Sequence, residues 1–112
     1  MPSNDGYRRV NIYEMPQLPL GEEVTAILAE SKNIRIERII STGQVSGWYD
    51  QTETELVILV DGEAAIEYAD GKIINMSRGD VLLIEAHERH RVAYTSTDPP
   101  CIWLCIFYSC SV

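Results

Sequence analysis

Cysteine is scarce in this chain and histidine scarcer: three Cys and two His occur among 112 residues. Cys101, Cys105 and Cys110 crowd the C-terminal end without a C-x-x-C pair or a second cluster, which argues against a zinc knuckle. Cys101 and Cys105 read instead as small apolar residues of a strand, and Cys110 as an exposed tail residue. No stretch approaches the roughly 20 apolar residues of a membrane span. The opening Met1-Pro2-Ser3-Asn4-Asp5-Gly6 has no apolar run of signal-peptide type, so a cytoplasmic location is expected. Basic residues are also in short supply, nine against 17 acidic, for a net charge of −8. Such a surface repels phosphate backbones and anionic bilayers, and no Lys/Arg cluster offers a local exception. Neither nucleic acid nor a membrane is an expected partner. The phosphate loops G-x-x-x-x-G-K-[ST] and G-x-G-x-x-G are missing, as is the G-x-S-x-G nucleophile elbow.

What is present suits one small domain. The chain is 46% hydrophobic, and a domain of this size buries about two-thirds of the surface its unfolded chain exposes, without needing a disulfide or metal staple. Residues 1–33 read as an arm with one short helix. Pro2, Pro16 and Pro19 punctuate the arm, while Leu20, Val24, Ile27 and Leu28 fall on one helical face, with Glu22 and Glu23 placed to meet its dipole.

From residue 34 to 108 the pattern changes to short β-branched runs. Ile34–Ile40, Glu55–Val60, Glu63–Tyr68, Lys72–Met76, Val81–Ile84, His90–Tyr94 and Cys101–Tyr108 read as strands, and residues 109–112 as a tail. Asp61-Gly62 gives a tight-hairpin signal, Asp70-Gly71 another turn. Short strands at this spacing, with no helical segments between them, predict an all-β sandwich or barrel of antiparallel strands. The last strand is apolar on both faces: Cys101, Trp103, Cys105 and Phe107 on one, Ile102, Leu104, Ile106 and Tyr108 on the other. Its outer side needs a cover, either the N-terminal arm or a second subunit, and a homodimer is the favoured expectation.

Few residues are placed to carry chemistry. Glu55 opens an apolar strand and shares a face with Val57 and Leu59, so it should lie close to a core, where a carboxylate needs a metal, a cation or hydrogen-bond donors. His90 begins a strand with Val92 and Tyr94 on its own side, and His87 lies three residues earlier in a loop. Imidazole and carboxylate together are the usual ligands of catalytic divalent metals.

The spacing of these residues resembles the two-part signature of cupins. Glu55 and Gly62 match the second half of the first part, which ends Glu, six residues, Gly. Gly79 and His90 match the second part at the right separation. Trp48-Tyr49-Asp50-Gln51, Gly62-Glu63-Ala64, Ala86–Val92 and Ile102-Trp103-Leu104 resemble a subgroup of small single-domain cupins. The resemblance implies an antiparallel cupin or jelly-roll barrel binding a small molecule inside. It also implies a divalent transition metal (iron, manganese, nickel or zinc) held by His90 and Glu55, with Asp50 and His87 beside them. Gln51, Trp48, Tyr49 and Tyr94 would line the pocket.

The sequence departs from the family in one respect above all: the His-x-His of the first part is missing. Its positions fall on Trp48/Asp50 or on Tyr49/Gln51, and Glu85, His87 and Tyr94 stand where Pro, Gly and Asn are usual. A straight strand would put Gln51 on the face of Glu55; a bulge at Thr52-Glu53-Thr54 would put Asp50 there, and the better cation ligand is the carboxylate. Three functions stay open: a metal-dependent enzyme; a metal-free binding module or epimerase-like enzyme with His90 as base and Tyr49 or Tyr94 as acid; and a structural dimer with a vestigial pocket.

Overall fold

The computed structural model describes residues 8–18 and 20–109. Its strands are β1 (Val24–Ser31), β2 (Ile34–Ser41), β3 (Thr54–Asp61), β4 (Glu63–Tyr68), β5 (Ile73–Ser77), β6 (Val81–Ile84), β7 (His90–Thr95) and β8 (Cys101–Tyr108). All pairings are antiparallel, in one sheet ordered β1-β2-β8-β3-β6 and a second ordered β5-β4-β7. The all-β architecture expected from the strand spacing is therefore present.

The short N-terminal helix is not. The stretch assigned to it is β1, and no helix occurs among the described residues. β1 is the edge of the larger sheet and folds back on β2 through a turn at Lys32-Asn33, paired from Val24 opposite Ile40 to Ser31 opposite Ile34 with a register shift between Ile27 and Ala29. The apolar spacing of Leu20, Val24, Ile27 and Leu28 fits a helix by coincidence. The unpaired edge of β2 offers this segment a full ladder of backbone hydrogen bonds, and such tertiary pairing outweighs a weak local propensity.

A second correction concerns Asp61-Gly62. Strands β3 and β4 belong to different sheets, so this dipeptide is a corner rather than the tip of a hairpin. Gly62 sits at φ 91°, and a Cβ there would meet Cys101 Cα and Sγ, each at 2.8 Å. Only glycine allows the chain to turn this tightly against β8. The hairpin lies instead at Asp70-Gly71 between β4 and β5, where Tyr68 N–H bonds the Lys72 carbonyl and Asp70 Oδ1 accepts from Lys72 N–H.

The core fills the space between the sheets: Val57 and Leu59 of β3, Ala64 and Ile66 of β4, Met76, Ile84, and Trp103 and Cys105 of β8 are all buried. Cys101 and Cys105 are free thiols within it; Cys110, Pro2 and Pro19 lie outside the described residues. β8 is central, flanked by β2 and β3. On its outer side Leu104, Ile106 and Tyr108 are only half-buried. The arm reaches part of that face: Arg38, paired with Leu104, is buried, and its Nη1 donates to the carbonyls of Glu14 (2.8 Å) and Asn11 (3.4 Å).

Candidate functional site

Strand register builds a pocket inside the barrel. Residues directly opposite one another in neighbouring antiparallel strands project to the same side of a sheet. Crossing β2, β8, β3 and β6 in the larger sheet, one row reads Arg35, Phe107, Glu55, Ile84; the next reads Glu37, Cys105, Val57, Leu82; the third reads Ile39, Trp103, Leu59. Polarity thus declines along the barrel, from a charged end to an apolar floor. Above that floor lies a cavity of about 310 Å³, at the small end of the range for ligand pockets.

Glu55 and His90 face each other across it. Glu55 is 7% exposed and His90 3%, and His90 Nε2 lies 3.9 Å from Glu55 Oε1. His90 is anchored on both sides. Its backbone pairs with Tyr49, N–H of each to carbonyl of the other, at 2.7 and 3.1 Å. Its Nδ1 lies 2.8 Å from the Glu88 carbonyl; a carbonyl only accepts, so Nδ1 carries the proton and the neutral ring presents the Nε2 lone pair to the cavity. Glu55 Oε1 accepts from the Gln51 side-chain amide at 3.2 Å. Burial pushes the Glu55 carboxyl above its ordinary value, against the opposing effect of hydrogen bonds from Cys105 and Gln51 and of His90. The Cys105 thiol is pushed well up by its own burial and by the Glu55 charge. Burial likewise raises the Tyr49 phenol, whose ring centroid is 5.6 Å from that of His90.

The residues singled out in the sequence divide into two groups. Glu55, His90, Gln51 and Tyr49 line the cavity. Asp50, His87, Trp48 and Tyr94 are not among its lining residues, and all four are exposed. The position beside Glu55 is occupied by Gln51, although the chain bends at Thr52-Glu53 before β3; Asp50 pairs instead with His87 at 2.8 Å, their side chains 58% and 64% exposed. Trp48 lies beneath the guanidinium groups of Arg89 and Arg91, 5.0 and 5.4 Å from its ring. Tyr94 stands on β7 with half its surface in solvent.

Four charged lining residues escaped the sequence reading: Glu23, Arg35, Glu37 and Glu53. Alternation in Ile34–Ile40 carried the signal for Arg35 and Glu37, since both share a face with Ile39. Glu23 was hidden by the helical reading of its segment.

Among the described residues the donors in the cavity fall short of a three-ligand metal group. A divalent transition metal needs three or four converging ligands. Among the described residues no group of three His, Cys, Asp or Glu side chains is arranged to hold one. His90 and Glu55 converge, but the place of a third strong ligand is taken by the amide of Gln51.

Comparison with known proteins identifies the lineage. The cupin domain family matches residues 37–107, more than half of the chain. The chain belongs to the cupin family. A solved structure from Ralstonia eutropha JMP134, described as a candidate mannose-6-phosphate isomerase, is 38% identical over 90% of this cupin and 97% of its own chain, with a TM-score of 0.84. A cupin superfamily protein from Desulfitobacterium hafniense DCB-2 shares the fold at 21% identity over 83% of each chain, TM-score 0.73. An RmlC-like cupin from Desulfovibrio desulfuricans does so at 18% identity over 90% of this chain and 94% of its own, TM-score 0.72. No curated protein matches the chain.

Proposed function

We propose that this cupin binds a small organic molecule inside its barrel and moves protons on it with His90 and Glu55, without help from a metal. The observation that carries this reading is the opposed pair itself: His90 Nε2 and Glu55 Oε1 stand 3.9 Å apart in the cavity. Nε2 is left bare by the Nδ1 contact to Glu88. A carboxyl raised by burial still holds its proton at a pH where an ordinary carboxyl has lost it, and a neutral imidazole accepts one; such a divergence of environments separates an acid from a base. On a ligand with a carbonyl next to a C–H, Nε2 takes the carbon-bound proton while the Glu55 carboxyl gives its own to the carbonyl oxygen, forming an enol. The reverse transfers restore a carbonyl compound at the same or the neighbouring carbon. The isomerase description of the Ralstonia relative, at 38% identity, is consistent with chemistry of this class.

Solvent-deuterium exchange tests this. Small hydroxycarbonyl compounds are incubated with the protein in D₂O, and loss of carbon-bound ¹H is followed by NMR. Exchange at one carbon of a bound compound, abolished in His90→Gln and reduced at least about tenfold in Glu55→Gln, is expected. Exchange unaffected by His90→Gln, or binding with no exchange for every compound, would remove the acid–base reading.

A further inference from the structure

We infer that the ligand of this pocket is a small cation, an organic ammonium compound, and that the site rejects phosphorylated and carboxylated molecules. This inference rests on the interior cavity being the ligand site, as argued above, and adds the charge of what it takes.

Its basis is the balance of fixed charge on the cavity wall. Glu23, Glu37 and Glu53 line it, against one guanidinium, Arg35, and one imidazole, His90; Glu55, which carries the acid's proton in the proposed function, is left out of the count. Three of the five N–H groups of Arg35 are committed. Its Nε donates to Glu37 Oε2 at 2.6 Å, and Nη1 and Nη2 donate to the two carboxylate oxygens of Glu53 at 2.8 and 3.3 Å. An entering phosphate would meet a guanidinium already forked onto one carboxylate and bound to a second, and would approach it against both negative charges. That leaves Glu23, at the exposed side of the cavity, as the carboxylate outside the Arg35 cluster; among the described residues it forms no ion pair with Arg or Lys, and Ser41 hydrogen-bonds it. Burial is the main reason the Glu23 carboxyl and the Tyr49 phenol are raised, and a neighbouring carboxylate adds to each, Glu37 for Glu23 and Glu23 for Tyr49.

The walls between the carboxylates are aromatic. Tyr49, Trp103 and Phe107 line the cavity, and the negative face of an aromatic ring attracts a desolvated cation. The protein supplies its own example: the Arg35 guanidinium lies 4.4 Å over the Phe107 ring, flanked by Glu37 and Glu53. An ammonium ligand between Glu23 and the rings of Tyr49 and Trp103 would repeat that arrangement one step along the barrel. The mannose 6-phosphate named for the Ralstonia relative would not find it here.

The test uses probes of one size and different charge: benzylammonium, benzyl alcohol and benzoate, with mannose 6-phosphate as a fourth. Binding is followed through the Trp103 indole N–H in ¹H–¹⁵N spectra of the full chain, with Trp48 as an exposed internal control. The expected result is that benzylammonium shifts the Trp103 signal and binds at least about tenfold tighter than benzyl alcohol, while benzoate and mannose 6-phosphate leave it unmoved. Glu23→Gln should erode that preference without abolishing binding of benzyl alcohol. If benzyl alcohol, benzoate or mannose 6-phosphate moves Trp103 at equal or lower concentration, the cation preference is overturned and the pocket survives. If none of the four moves Trp103, the ligand pocket falls along with the inference.

Discussion

His87 and Asp50 meet on the outside of the barrel, Nδ1 to Oδ1 at 2.8 Å, across 37 residues of sequence. His87 does so from the left-handed region, at φ 65°, at a position where the cupin pattern usually has glycine. The pair ties the loop before β7 to the segment before β3, beside the backbone bond from His87 N–H to the Gln51 carbonyl. Both side chains are more than half exposed, so solvent screens the interaction. Asp50→Ala is therefore expected to cost less than about 1 kcal/mol in denaturant unfolding, and to leave ligand affinity inside the barrel unchanged. A large loss of affinity would bring Asp50 back into the site.

Elemental analysis decides the metal question for His90 and Glu55. Protein purified without an affinity tag or chelator is expected to carry no stoichiometric iron, manganese, nickel or zinc, because Gln51 stands where a third strong ligand is needed. Near-stoichiometric metal that disappears in His90→Ala would establish the reduced metal site instead.

Glu55 should make stability depend on pH. Its folded-state value is raised, chiefly by burial, so the folded protein holds this proton more tightly than the unfolded chain does. The stabilisation is complete below the unfolded carboxyl value and is lost as pH rises through the raised folded value. Glu55→Gln has no such proton to lose. Unfolding free energies of the two proteins, compared from pH 4 to pH 8, should therefore change in the variant's favour as pH rises. A constant difference would show that Glu55 ionises at the same pH folded and unfolded.

Two glycine substitutions separate strain from crowding. Gly71 and Gly62 share a positive φ, at 90° and 91°, but a Cβ at Gly71 meets nothing within 4 Å while one at Gly62 would lie 2.8 Å from Cys101. Gly71→Ala should cost roughly 1–2 kcal/mol for the left-handed backbone alone. Gly62→Ala adds overpacking of roughly 1–3 kcal/mol and should unfold at visibly lower denaturant. Equal costs would mean that the Gly62 corner yields without strain.

Arg38 should control the N-terminal arm. It is buried and donates to the carbonyls of Asn11 and Glu14. Arg38→Met keeps most of the apolar stem and removes the donors, so it should cost roughly 1–3 kcal/mol and speed amide hydrogen exchange in residues 11–14. Light scattering of both proteins tests the proposed homodimer, whose contact surface would be the outer side of β8 at Leu104, Ile106 and Tyr108. A monomer would leave the arm as the cover for that face.

The strand pattern from Ile34 onward was legible because period-two alternation and turn residues are local properties, and seven of the eight strands follow from them. The depth of Glu55 and His90 was legible for the same reason: each opens an apolar strand, and a polar group there goes where its neighbours go. Local pattern could not show pairing partners. β1 is a strand because an unpaired edge of β2 lies beside it, and Asp61-Gly62 is a corner because β3 finds β6 and β8 while β4 finds β5 and β7. The choice between Asp50 and Gln51 was likewise tertiary, since the chain bends at Thr52-Glu53 and the contacts of Gln51 with Glu55 and of Asp50 with His87 set which side chain faces inward. The acidic wall was the least legible feature. Glu23, Arg35, Glu37, Glu53 and Glu55 come from three separate segments, and only the pairing of β1, β2, β8 and β3 brings them into one cavity, where a low dielectric makes their balance matter.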